Sequence, residues 1–236
     1  MSWTEHLHDG STALAAHVAS IIESTLRGAL ASHRHATLAL AGGSTPWPAY
    51  RALATADLDW SRVTLVPTDE RCVARDHPAC NATAIEHAFD GALGVRVLRL
   101  VPDDGDAARA ESFAQQALEP FSSTWFAAVV LGMGGDAHTA SLFPHAAQLV
   151  TGLDMAPDID ALRVDPDPLP PDAPYPRISL TLPRLLRANA VHLLVTGQAK
   201  RGILHRAMQA ATDIQSMPIA AVLHTPRADV QIHWSP

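Results

Sequence analysis

Residues 129–145 read Val-Val-Leu-Gly-Met-Gly-Gly-Asp-Ala-His-Thr-Ala-Ser-Leu-Phe-Pro-His. An apolar run ends in a glycine-rich turn, and the turn delivers Asp136 and then His138. Such a run reads as a buried strand. A strand that stops at a flexible loop is where an open α/β sheet puts its ligand. An imidazole at that position gains or loses a proton near neutral pH.

Outward from this stretch, strand-like and helix-like segments alternate. Residues 11–32 carry apolar side chains at Leu14, Val18, Ile21, Ile22 and Leu26, the spacing of one helix face. Short apolar strands are predicted at 37–41, 63–67, 95–100, 125–131, 190–196 and 219–223, with a last edge strand at 230–234. Helices are predicted from Pro46 to about residue 56, and at 81–89, 107–118 and 198–210. The alternation predicts a three-layer α/β/α domain, Rossmann-like, with a mostly parallel central sheet covered on both faces. Seven prolines between Pro157 and Pro176 mark an excursion, with room for a short strand at 161–164. The α/β pattern resumes after it, so residues 1–236 read as a single domain.

The bulk properties narrow the function classes. Apolar residues make up 47% and charged residues 17%, which suits a globular chain. A net charge of −7 argues against non-specific nucleic-acid binding. No apolar run approaches the roughly 18 residues of a membrane span, and the polar start MSWTEHLHDG is unlike a secretory signal. Two cysteines, Cys72 and Cys80, suit reduced thiols in a cytoplasm. Any anionic ligand must therefore be held by few, local cations. Lys200 is the one lysine among 17 basic residues.

Four loops follow strands. Gly42-Gly43-Ser44-Thr45 offers free backbone N–H groups and two hydroxyls, a cradle for an anion. It lacks the lysine of a P-loop, and no glycine stands two residues after Ser44 to make a nucleophile elbow. Asp69-Glu70-Arg71 reads as a charged loop in which an arginine fork binds phosphate or carboxylate and the acids orient it. The turn at 132–138 also satisfies G-x-G-x-x-A through Gly132, Gly134 and Ala137, with Asp154 as a ribose acid, so a nucleotide site stays open. Thr196-Gly197-Gln198-Ala199-Lys200 starts a helix with an ammonium in its first turn, suited to a phosphate. Arg177 and Thr181 form a weaker fifth candidate. No cluster of His, Cys and Asp has metal-ligand spacing, so neither a metal nor another cofactor is expected. These pieces suggest a cleft with a histidine base and two or three cations, without naming the reaction.

Together the motifs resemble the 6-phosphogluconolactonases. The resemblance covers residues 37–223. It rests on Ala41-Gly-Gly-Ser-Thr-Pro46 with Tyr50, Asp69-Glu-Arg71, His77-Pro78 with Asn81, residues 131–144, Pro176-Arg-Ile-Ser-Leu-Thr-Leu-Pro183, and Thr196-Gly197 with Lys200. The glucosamine-6-phosphate deaminases are similar in fold, but there an aromatic tends to follow the Asp-Glu pair and acids follow the motif histidine. Arg71 and Thr-Ala-Ser-Leu-Phe-Pro stand at those places here. Two departures are Ala137, where the lactonase turn usually carries glycine, and Cys80, where serine is usual. If position 137 needs a positive φ, alanine costs about 1 kcal/mol or more.

The resemblance implies hydrolysis of 6-phosphogluconolactone without metal or cofactor. His138 would act as general base, Asp136 would orient it, and Arg71 would sit at the phosphate or share the oxyanion. Gly43, Ser44, Thr45, Asp69, Arg177 and Lys200 would complete the phosphosugar site. The expected partner is a small phosphosugar lactone, with no nucleic acid and no membrane, and the expected chain is a cytoplasmic monomer or small homo-oligomer. The alternatives are an amino-sugar phosphate deaminase and a non-catalytic sugar-phosphate sensor.

Overall fold

The computed structural model describes residues 3–156, 159–170, 173–209 and 211–236. In chain order the elements are β1 (Trp3–Leu7), α1 (Ser11–Ser32), β2 (Ala36–Leu40), α2 (Trp47–Leu53), β3 (Val63–Pro67), β4 (Asp69–Arg71), α3 (Asn81–Ala88), β5 (Arg96–Val97) and α4 (Ala107–Leu118). There follow β6 (Ala128–Gly132), α5 (Leu149–Leu153), β7 (Ala161–Val164), β8 (Arg177–Leu180), α6 (Leu182–Leu185), β9 (Val191–Thr196), α7 (Gln198–Ala207), α8 (Ile219–Leu223) and β10 (Val230–Ser235).

Seven strands form one parallel sheet in the order β1-β10-β9-β6-β2-β3-β5. Alternate side chains of the central strands enter different cores. Leu38, Leu40, Ala128 and Val130 pack with α1 and α2 on one face. Ala39, Val129, Leu131 and Leu193 join the core on the other face, which includes α8. Burial on both faces removes any need for polar alternation, so these strands read as unbroken apolar runs. Helix α1 buries Leu14, Val18, Ile22 and Leu26, each one turn after the last. The result is the three-layer α/β/α arrangement.

The chain winds outward from β2 through β3 to β5, then returns to β6 and winds the other way through β9 to β10. The order reverses between β2 and β6. Loops leaving the carboxyl ends of those two strands diverge there and open a crevice.

A second, antiparallel sheet, β4-β8-β7, stands apart from the first. The proline-rich excursion supplies its strand at Ala161–Val164; of that excursion, Pro157, Asp158, Pro171 and Asp172 lie outside the described residues. Asp69–Arg71 is therefore a strand and not a loop, because it pairs with Arg177–Ser179. Residues 219–223 form helix α8 and not a strand: a short apolar run carries no period that separates the two, and Pro218 opens the helical turn. The strand at Val230–Ser235 is not the edge, because the unpredicted β1 pairs outside it. The strand predicted at 95–100 shortens to Arg96–Val97. The helix predicted to residue 210 ends at Ala207, and Ala210 lies outside the described residues. Cys72 and Cys80 are free and buried, and burial pushes the Cys72 thiol up to about 11. Among the described residues no helix is long and apolar enough to cross a membrane.

Candidate active site

A cavity of about 290 Å³ opens at the crevice. The turn after β2 contributes Gly42, Gly43, Ser44 and Thr45, and the turn after β6 contributes Gly132, Gly134 and His138. The second sheet adds Asp69, Arg71 and Arg177, and the first turn of α7 adds Lys200. Of the residues the resemblance placed at the site, Gly43, Ser44, Thr45, Asp69, Arg71, His138, Arg177 and Lys200 line this cavity, and Asp136 stands behind His138 and lines an adjoining hollow beside Phe143, Pro144 and residues 166–170. Thr181 lies elsewhere: it is buried and caps α6, accepting a hydrogen bond from the Arg184 N–H.

His138 is held by one short contact, from Nδ1 to Asp136 Oδ1 at 2.5 Å. Burial raises the Asp136 carboxyl, but the hydrogen bond and charge of His138 outweigh it and hold the acid below its ordinary value. Asp136 is thus ionised at neutral pH and can only accept, so Nδ1 carries the proton. Nε2 is left as the lone-pair nitrogen, with no hydrogen-bond partner among the described residues. The ring also packs on Phe143, with centroids 4.2 Å apart.

The turn that presents His138 is tightly determined. A Cβ at Gly134 would overlap the His138 ring and come within 2.6 Å of Asp136 Oδ1, so only glycine fits. Ala137 has φ 67°, the left-handed conformation for which alanine carries a cost of about 1 kcal/mol. Its peptide groups fix it there: the N–H donates to Gly134 O at 3.1 Å, and the carbonyl accepts from Ile219 N–H at 3.0 Å.

Strand alternation sorts the Asp-Glu-Arg triplet. Asp69 and Arg71 share the cleft face of β4, and Glu70 turns away into the protein. Glu70 does not orient the arginine. Its carboxylate accepts from the N–H groups of Arg71, Asn81 and Ala82 at 2.7–2.8 Å, tying β4 to the start of α3. Burial raises its pKa against the pull of those three donors. Arg71 instead donates through Nη1 to Ala79 O at 2.8 Å and to Asn81 Oδ1 at 2.7 Å. Asn81 Nδ2 donates back to Asp69 O at 2.8 Å. Asp69 Oδ2 accepts from Ser141 Oγ at 2.6 Å.

Arg177 is buried, donates to Ala173 O at 3.0 Å, and stacks over Phe143 at 5.0 Å. Burial lowers its pKa, and the charge of Arg71 adds to this while Asp69 and Asp136 oppose it. The Nε atoms of Arg71 and Arg177 are buried without a hydrogen-bond partner among the described residues. Three cations and one carboxylate line the cavity of a chain whose net charge is −7. The cleft is therefore a local positive field suited to an anion.

Sequence reasoning passed over the supporting roles of Asn81, Ser141 and Phe143. Asn81 and Phe143 stand inside the motifs, but nothing in the spacing shows that Asn81 clamps Arg71 or that Phe143 touches both His138 and Arg177.

Residues 9–234 match the family model described as glucosamine-6-phosphate isomerases/6-phosphogluconolactonase. The chain belongs to this family. Within it, the chain is 37% identical to a 6-phosphogluconolactonase of Caulobacter vibrioides, over 92% of this chain and 90% of that protein. It is 38% identical to a Pseudomonas putida 6-phosphogluconolactonase, over 98% and 91%. A crystal structure of a 6-phosphogluconolactonase from Shewanella baltica superposes with a TM-score of 0.88 at 31% identity, covering 99% of this chain and 97% of that one. A monomeric glucosamine-6-phosphate deaminase shares the fold at a TM-score of 0.75 and 19% identity.

Proposed function

We propose that the chain, acting as one domain, hydrolyses the 1,5-lactone of 6-phosphogluconate to the open acid, with His138 as general base. The observation that carries this reading is one cavity in which the free Nε2 of an Asp136-held imidazole faces Arg71, Arg177 and Lys200. Water gives a proton to His138 Nε2 as its oxygen bonds to the lactone carbonyl carbon. The tetrahedral oxyanion then collapses, the bond to the ring oxygen breaks, and His138 returns the proton to that oxygen. Asp136 stabilises the imidazolium between the two steps. The proton has moved from the water to the ring oxygen, His138 ends in its starting state, and no covalent enzyme intermediate is needed.

Lys200 and the N–H groups of the Gly43-Ser44-Thr45 turn hold the phosphate, and Arg71 serves the phosphate or the oxyanion. Asp69 accepts hydroxyls of the sugar. The reading takes a small phosphosugar lactone as partner and the cytoplasm as compartment.

The test follows the decay of freshly made 6-phosphogluconolactone beside the unphosphorylated lactone. The phosphorylated substrate is expected to be strongly preferred, and His138→Ala to lower kcat about 100-fold or more. Equal rates on the two lactones remove the phosphate site, and a near-normal kcat in the variant removes the base. Ammonia release from glucosamine 6-phosphate would replace the reading by that of a deaminase.

A further inference from the structure

At the opposite margin of the parallel sheet, five histidines from four elements and one connection come together. His6 lies on β1 and His8 just beyond it, His17 on α1, His192 on β9 and His233 on β10. None lines the cleft. His6 and His233 are register partners, and their rings stack at 4.9 Å with 12° between planes. The His17 ring centroid lies 5.0 Å from that of His8 and 5.6 Å from that of His233. One ring nitrogen from each of His8, His17 and His233 falls within 4.8 Å of the others.

We propose that His8, His17 and His233 bind a divalent transition-metal cation of the zinc class. Zinc–imidazole bonds of about 2.0–2.1 Å in a tetrahedron put neighbouring nitrogens about 3.3 Å apart. His8 Nε2 and His233 Nδ1 already stand at 3.4 Å. His17 is exposed on its helix, so rotation of its side chain closes the third corner. The fourth position is left to water.

The outer shell has the polarity a metal requires. The second nitrogen of His233, Nε2, lies 3.1 Å from His192 Nδ1. With a metal on Nδ1, the Nε2–H donates to His192 and fixes the ring. His6 is held by Gln231 at 2.7 Å and stacks on the His233 ring. Three neutral nitrogen donors select zinc, cobalt, nickel or copper over magnesium or calcium. Burial, then the neighbouring imidazoles, pull the His8 and His233 pKa values down, with Asp9 opposing weakly at His8. Asp229 acts on the cluster through His192, raising it. Protons compete with metal, so binding weakens as pH falls.

The test uses the full chain, stripped with EDTA and freed of chelator. Cobalt(II) is titrated with visible absorption as readout, zinc is used to compete, and melting is followed with each metal. One equivalent is expected to bind with the visible bands of a tetrahedral site and to raise Tm. His17→Ala, at an exposed position, and His8→Ala should each weaken binding by at least about tenfold, since even outer-shell changes cost roughly 10- to 100-fold. His138→Ala should bind as the parent chain does, and the stripped parent should keep its lactonase rate. Full-strength binding by His17→Ala, loss of binding in His138→Ala, or no saturable binding by the parent would each overturn the assignment.

Discussion

His192 and His233 make the stability of this protein steeply dependent on pH above its acid limit. Both rings are buried. Burial, followed by the charges of neighbouring histidines, lowers His192 to about 4 and His233 to about 2, from an ordinary value of 6.5. A base whose folded pKa is depressed stays neutral in the native state while the unfolded chain takes up protons. Its contribution is complete above 6.5 and is lost as pH falls from there toward the folded values. Between pH 7.0 and 5.5 an unfolded imidazole goes from about a quarter to about nine-tenths protonated, and the native rings stay neutral. At about 1.36 kcal/mol per pKa unit, each histidine then loses about 1.2 kcal/mol over this interval. The pair loses about 2.5 kcal/mol, a sizeable part of the 5–15 kcal/mol typical of a domain.

Glu70 runs the other way. Its raised pKa adds stability as pH falls through it toward 4.5. The measurement that isolates the histidines is therefore a difference: urea unfolding at both pH values, with EDTA throughout, of the parent, His192→Gln and His192→Gln/His233→Gln. The single variant should flatten the loss by about 1.2 kcal/mol and the double by about 2.5 kcal/mol, whatever their stability at pH 7.0. Parallel pH profiles for all three proteins would refute the argument.

Lys200→Ala removes one charge-assisted contact to the phosphate, worth about 1.5–3 kcal/mol; KM for the phosphorylated lactone should rise roughly 10- to 100-fold, while kinetics on the unphosphorylated lactone stay unchanged. Gly134→Ala drives a methyl into the His138 ring; steady-state kinetics should show a kcat loss like that of His138→Ala with the circular dichroism spectrum preserved. Asn81→Ala strips Arg71 of one of its two Nη1 partners and leaves Asp69 O without its donor; thermal melts should report a destabilisation of about 1–3 kcal/mol, with KM raised.

The parallel sheet was legible because its strands are buried on both faces and end at glycine or charge. The runs at residues 37–41, 63–67 and 129–131 need no partner to be recognised. What escaped depends on partners far along the chain. Asp69-Glu-Arg71 carries no strand signal of its own and becomes one only because Arg177–Ser179 lies beside it. Trp3–Leu7 is polar and exists as a strand because β10 offers it an edge. Residues 219–223 are apolar nearly throughout, and no local period separates helix from strand. The site followed the same division. Cations and the imidazole announced themselves at strand ends, whereas the clamps on them, Asn81 and Ser141, act across 10 and 72 residues. The histidine cluster joins His8 to His233, 225 residues apart, which no ligand-spacing motif describes.

The pairing of β1 with β10 also sets an order in time. β1 precedes and β10 follows the other strands of the sheet in sequence, and among the described residues β10 is the one neighbour β1 has in the sheet. While the intervening 222 positions are being made, residues 3–7 have no ladder to join. The β2–β3 pair and its helices can assemble early, from contacts close in sequence, but this edge waits for residues 230–235. A chain halted before Val230 exposes β9 as a bare edge and leaves the first strand hanging, a template for association with other nascent chains. Synthesis of residues 230–235 is thus the event that lets β1 join the sheet.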